Sequence, residues 1–147
     1  AHPWLPGYTS GPLPSGLRFP LRLRDYRMDS CFSFLLQAGG KRMLVWSSTH
    51  SQDAPRADLL TCRAVSSPGW YREILDGVKP GFVLPQHWDD FFRPLTEKTL
   101  PFFSTPRLGI PPLERIDLQD FKERIHQVRP ESRVLLPEIF NEYSFEL

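Results

Sequence analysis

Apolar residues fall into short alternating or continuous runs separated by glycine, proline and polar clusters, and the runs change period along the chain. From residue 17, Phe19, Leu21 and Leu23 alternate with Arg18, Arg22 and Arg24, the period-2 signature of a half-buried strand with a charged face. Pro20 places that strand at a sheet edge or at a bulge. "CFSFLLQA" and "KRMLVWSS" follow, joined by Gly39 and Gly40, which supply the positive φ angles of a tight hairpin. Three antiparallel strands are expected here. After a polar loop, "LLTCRAV" reads as a strand buried on both faces.

The period then becomes helical. Ser67 as N-cap and Pro68 at the first helical position open "GWYREILDGV", with Gly77 and Pro80 expected to stop the helix. "GFVLPQ" is the next strand, so strand, helix and strand form a βαβ unit and part of the sheet is expected to be parallel. Residues 93–112 are rich in proline and aromatics without a period, as in a loop that covers a pocket. Asp117 caps a second helix in which Leu118, Phe121, Ile125 and Val128 share one face, and Arg129 and Pro130 end it. "SRVLLPEI" and "EYSFEL" are expected as a closing pair of short strands. The fold class is α/β with a mixed sheet, residues 1–16 being an irregular lead-in with four prolines and three glycines and residues 17–147 the folded unit.

Composition narrows the function classes. The 147 residues fit one domain with a real core, and the 18 basic and 17 acidic side chains nearly cancel, leaving no electrostatic footprint for nucleic acid or an anionic membrane. No apolar run is long enough to cross a bilayer. Cys31 and Cys62 match no close-spaced zinc signature and read as buried free thiols in a reducing compartment, so a cytoplasmic location is expected. No G-x-S-x-G elbow is present.

The chemistry-bearing stretch is "FVLPQHWDDFF", where a strand ends in a histidine beside carboxylates and aromatics. His87 stands just past the strand's C-terminal end, the edge at which α/β sheets hold ligands. Neutral imidazole is the commonest zinc ligand, and Asp89 or Asp90 is near enough in sequence to orient the ring. A histidine hydrogen-bonded in a turn, with no ligand, is the structural alternative.

The order of these elements, and "KPGFVLPQHWDDFF" in particular, resembles the C-terminal half of the αββα metallo-β-lactamase fold, in the branch of lactonase-like and other metal-dependent hydrolases whose "kP…vip.HwD.f" segment carries the last metal-binding histidine. The resemblance implies that His87 is a metal ligand, with zinc as the expected divalent metal, and that Asp89, Asp90, Trp88, Phe91 and Phe92 line or support the pocket. It also implies metal-activated water attacking a lactone, ester, amide or phosphoester in a small-molecule substrate. Two departures accompany it. The family's H-x-H-x-D-H motif, which belongs to its N-terminal half, is absent. Where the family carries a "GDT"-like turn with a metal-bridging aspartate, this chain has Ser47, Ser48 and Thr49, with His50 and Asp53 nearby; Ser48 cannot replace an ionised carboxylate. The resemblance therefore implies a chain that is a fragment, a processed product or one piece of a split protein, partnered by the missing N-terminal half or by a second copy, and inactive alone. The reading from another class is a non-catalytic α/β binding domain whose aromatic stretch is a contact surface, since aromatics make up 13% of the chain.

Overall fold

The computed structural model of the chain describes residues 16, 32–47, 53–90, 92–94, 96–104, 114–138 and 141–144. It shows an α/β architecture with a mixed five-stranded sheet and two helices. The strands β1 (Phe34–Ala38), β2 (Lys41–Val45), β3 (Leu59–Arg63), β4 (Phe82–Gln86) and β7 (Arg133–Val134) lie side by side in that order. The β1–β2 pair is antiparallel and the others are parallel. The helix α1 (Pro68–Val78) connects β3 to β4, and α2 (Leu118–Val128) precedes β7. A second, two-stranded sheet pairs β5 (Phe103–Ser104) with β6 (Glu114–Arg115).

The expected Gly-Gly hairpin is present, with φ of +55° at Gly39 and +77° at Gly40, values that L side chains rarely adopt. The strand expected over residues 17–27 lies outside the described residues, as does Cys31. Leu59, Leu60, Thr61 and Cys62 of β3 are all buried, as a central parallel strand requires. Leu44, Leu60 and Val83 stand in register on β2, β3 and β4 and pack into the main core with Tyr71, Ile74, Leu75, Phe121 and Ile125 of the helices. Leu59 and Phe82 are buried outside that cluster.

Each helix begins as its sequence dictates. The Ser67 hydroxyl accepts from the Trp70 amide at 3.2 Å, and Asp117 accepts from the Gln119 and Asp120 amides at 2.8 and 3.2 Å. The end of α1 differs from expectation. Gly77 lies inside the last turn, and Lys79 terminates the helix in the left-handed region at φ +53°, its amide donating to the Leu75 carbonyl at 2.9 Å. A non-glycine residue there carries backbone strain, so Lys79→Gly is expected to raise stability by about 0.5–1 kcal/mol, read as a higher denaturation midpoint at unchanged slope.

Pro85 sits inside β4 without breaking it. The carbonyls of Gly81 and Val83 accept from Arg133 and Leu135, both at 2.9 Å, so odd-numbered residues of β4 face β7, whereas the Gln86 carbonyl faces β3 and accepts from Ala64 at 3.1 Å. The N–H that proline lacks would have continued the β7 ladder, and that ladder stops there. The closing strands are correspondingly short. "SRVLLPEI" contributes only Arg133–Val134, and residues 142–144 of "EYSFEL" form no strand. Among the described residues of the proline-rich stretch, Phe103–Ser104 forms β5 and pairs with β6, and Pro101 bridges to Asp89.

Candidate functional site

The parallel strands β2, β3 and β4 end together. In the observed register Val45 pairs with Thr61 where β2 ends, and two residues onward Arg63 and Gln86 pair at the ends of β3 and β4, about 5 Å apart. The next residue of β4 is His87. Its side chain is exposed, and its backbone is left-handed at φ +53°, a conformation uncommon outside glycine, in which histidine is several-fold enriched. The reversal at His87 turns the chain away from the sheet, and Trp88 tucks half-buried against the main core.

The segment after the histidine is anchored to the aromatic loop by backbone hydrogen bonds. The Asp90 amide donates to the Leu100 carbonyl at 2.9 Å, the Phe102 amide to the Trp88 carbonyl at 2.7 Å, and the Ile116 amide to the Phe102 carbonyl at 2.9 Å. Phe92 and Phe102 rings lie 6.0 Å apart and Phe102 and Phe103 6.3 Å apart. Phe92 is 77% exposed, and the Arg115 guanidinium stands 4.8 Å over the Phe103 ring. Main-chain pairing thus brings Phe102 and Phe103 alongside the residues that follow His87.

The two aspartates differ. Asp90 is half-buried and its carboxylate accepts from the Phe92 amide at 3.1 Å, closing an Asx-type turn. Asp89 is exposed, and its carboxylate makes no hydrogen bond among the described residues. Ser48, His50 and Phe91 lie outside the described residues. Asp53 is described and also adopts positive φ, at +64°. His126 is exposed in the last turn of α2. Among the described residues no three His, Cys, Asp or Glu side chains gather as a metal-binding group. A hydrolytic metal site requires three or so protein ligands. No helix among them is long and apolar enough to cross a membrane.

Two residues that sequence reasoning passed over shape this edge. Arg63, hidden in the apolar run of β3, ends that strand level with Gln86, donates to the Val65 carbonyl at 3.3 Å and stands 5.9 Å over the Trp70 ring. Tyr71 lies in the core, and its hydroxyl donates to the carbonyls of Ala64 and Arg63 at 2.9 and 3.1 Å, fixing the turn that leaves β3. Its position on the buried face of α1 was legible; its hydroxyl's target on another element was not. Gln86 is fixed in turn, its amide nitrogen donating to the buried Thr61 hydroxyl.

Beneath the strand ends, Cys62 is a buried free thiol that burial pushes up from the ordinary 9.0 to about 12, with the Arg63 charge opposing. The unfolded chain therefore releases this proton first, and the stability it contributes, complete below pH 9, is lost as pH rises from 9 towards 12. Denaturant titrations across that interval are expected to show a Cys62→Ala variant losing stability less steeply than the parent, by up to about 1.4 kcal/mol per pH unit.

A scan of protein-family models and searches of curated proteins and of solved structures find no match to this chain.

Proposed function

We propose that this chain is the C-terminal part of a metal-dependent hydrolase of the metallo-β-lactamase kind, in which His87 supplies one ligand to a divalent metal, zinc being the first choice. The observation that carries this reading is the position of His87: it directly follows a parallel strand, holds a strained left-handed backbone, presents an exposed ring and comes one residue after the Arg63–Gln86 pair that ends β3 and β4. Strain of this sort persists where surrounding structure over-determines it, and here the Asp89–Pro101 bridge and the Phe102-to-Trp88 hydrogen bond hold the following segment. The remaining ligands and the attacking water's base come from a second unit, the N-terminal half or another copy. On the described face of β1, Phe34 and Leu36 are exposed. The substrate is a small molecule with a lactone, ester, amide or phosphoester bond, walled by Phe92, Phe102 and Phe103, and the protein acts in the cytoplasm.

Co-purification of the chain with its second unit, followed by metal analysis and assay on lactone and ester substrates, tests the reading. The assembled protein is expected to hold stoichiometric metal and to turn over, and the 147-residue chain alone to do neither. Turnover by the isolated chain, or an active assembly without metal, contradicts it. The second reading, a non-catalytic binding domain, draws on the exposed Phe92 and Phe103, and predicts a metal-free assembly whose partner covers those rings.

A further inference from the structure

A cleft of about 250 Å³ opens between α1 and α2, lined by Pro68, Arg72 and Asp76 from the first helix and Arg124, Gln127 and Val128 from the second. Its lining shares no residue with the strand-end site described above. The residues of α1 that pack into the core are Trp70, Tyr71, Ile74, Leu75 and Val78, so Arg72 and Asp76 occupy the opposite, solvent-facing side of the same helix.

The charges in this cleft are unevenly committed. Asp120 takes a hydrogen bond from the Nε of Arg124 at 2.6 Å, which orients the guanidinium and leaves its two Nη groups unused among the described residues. Arg72 and Asp76 make no hydrogen bond or ion pair among the described residues, although they stand four residues apart on one helix, about 6 Å along the axis. The first turn of α1 also carries no acidic residue to offset the positive end of its dipole. The cleft is thus lined by two guanidiniums, that of Arg124 already paired with Asp120, and by the Asp76 carboxylate, with Gln127 as a further donor and acceptor and with Pro68 and Val128 as apolar surface.

We propose that the cleft between α1 and α2 binds a small zwitterion, an amino acid whose carboxylate is held by Arg72 and Arg124 and whose ammonium group is held by Asp76. A guanidinium pair favours a planar carboxylate through paired N–H donors. Asp76 works against a doubly charged anion such as phosphate, and rewards a ligand that carries a positive group at its other end. The one-turn offset between Arg72 and Asp76 suits an ω-amino acid, whose charges are separated by a short methylene chain that can rest on Pro68 and Val128. The volume limits the ligand to a few heavy atoms beyond its charged ends.

The test is an amide-resolved NMR titration of the full 147-residue chain with three probes: γ-aminobutyrate, butyrate and inorganic phosphate. Saturable shifts centred on Arg72, Asp76, Arg124 and Gln127 are expected, with γ-aminobutyrate binding more tightly than butyrate and phosphate weakest. Arg124→Gln is expected to weaken γ-aminobutyrate about tenfold or more, the worth of a charge-assisted hydrogen bond. Asp76→Asn is expected to erase the preference for γ-aminobutyrate over butyrate. Both substitutions change solvent-facing side chains, and a thermal melt on each sample confirms that the fold is retained. The proposal is overturned if γ-aminobutyrate produces no saturable shift, if phosphate binds more tightly than butyrate, or if folded Arg124→Gln binds γ-aminobutyrate as the parent does.

Discussion

Tyr71→Ala is expected to lower unfolding stability by about 3–5 kcal/mol, the largest loss from any single side chain described above. Tyr71 is fully buried, its ring meets Trp70 edge-on at 5.6 Å and Phe121 at 5.9 Å, and its hydroxyl serves two carbonyls. Tyr71→Phe separates these contributions. It keeps the ring and strands the carbonyls of Arg63 and Ala64, at a cost of about 1–3 kcal/mol. Burial, with the neighbouring Cys62 adding to it, pushes the phenol well above its ordinary value of 10.0, so the stability it gives is present below pH 10 and falls as the solution becomes more alkaline. Urea titrations of parent, Tyr71→Phe and Tyr71→Ala measure both quantities. A phenylalanine variant as stable as the parent would show that the hydroxyl does not secure the exit from β3.

His87→Gly is expected to produce the opposite pattern: complete loss of metal and metal-dependent turnover in the assembled protein, with a melting temperature equal to or above the parent's. The exposed ring contributes little packing, and glycine relieves a left-handed backbone that costs other residues about 1–2 kcal/mol. For a chain of this size each kcal/mol regained moves the melt by about 2–4 °C. Metal content and melting temperature measured on the same samples decide the role. Retained metal with a lowered melt would make His87 a structural turn residue and remove the principal support for the hydrolase reading.

Elements whose signals are local were the legible ones. The Gly39-Gly40 hairpin, the Ser67-Pro68 and Asp117 helix starts and the buried β3 each follow from a few adjacent residues, and each stands where the pattern placed it. What escaped was decided between distant segments. The β5–β6 pair joins Phe103 to Arg115 across a stretch with no periodicity, and β7 is short because Pro85 of another strand ends its ladder. Lys79 took the helix-terminating conformation expected of Gly77, since Val78 remains helical and buries its side chain in the core. For the site, His87 was legible as a residue at a strand end, while its positive φ, the commitment of Asp90 to the Phe92 amide and the approach of Arg63 to Trp70 all depend on three-dimensional neighbours.

Pro85 also bears on how this protein can diversify. Because β7 leaves the sheet after Leu135 donates to Val83, residues 136–138 follow no strand register. A length change at 136–137 shifts no ladder pair of β4, so a designed library can remodel that margin without disturbing the strand. Proline at position 85 thereby divides the border segment into a paired portion that secures the scaffold and an unpaired margin open to redesign.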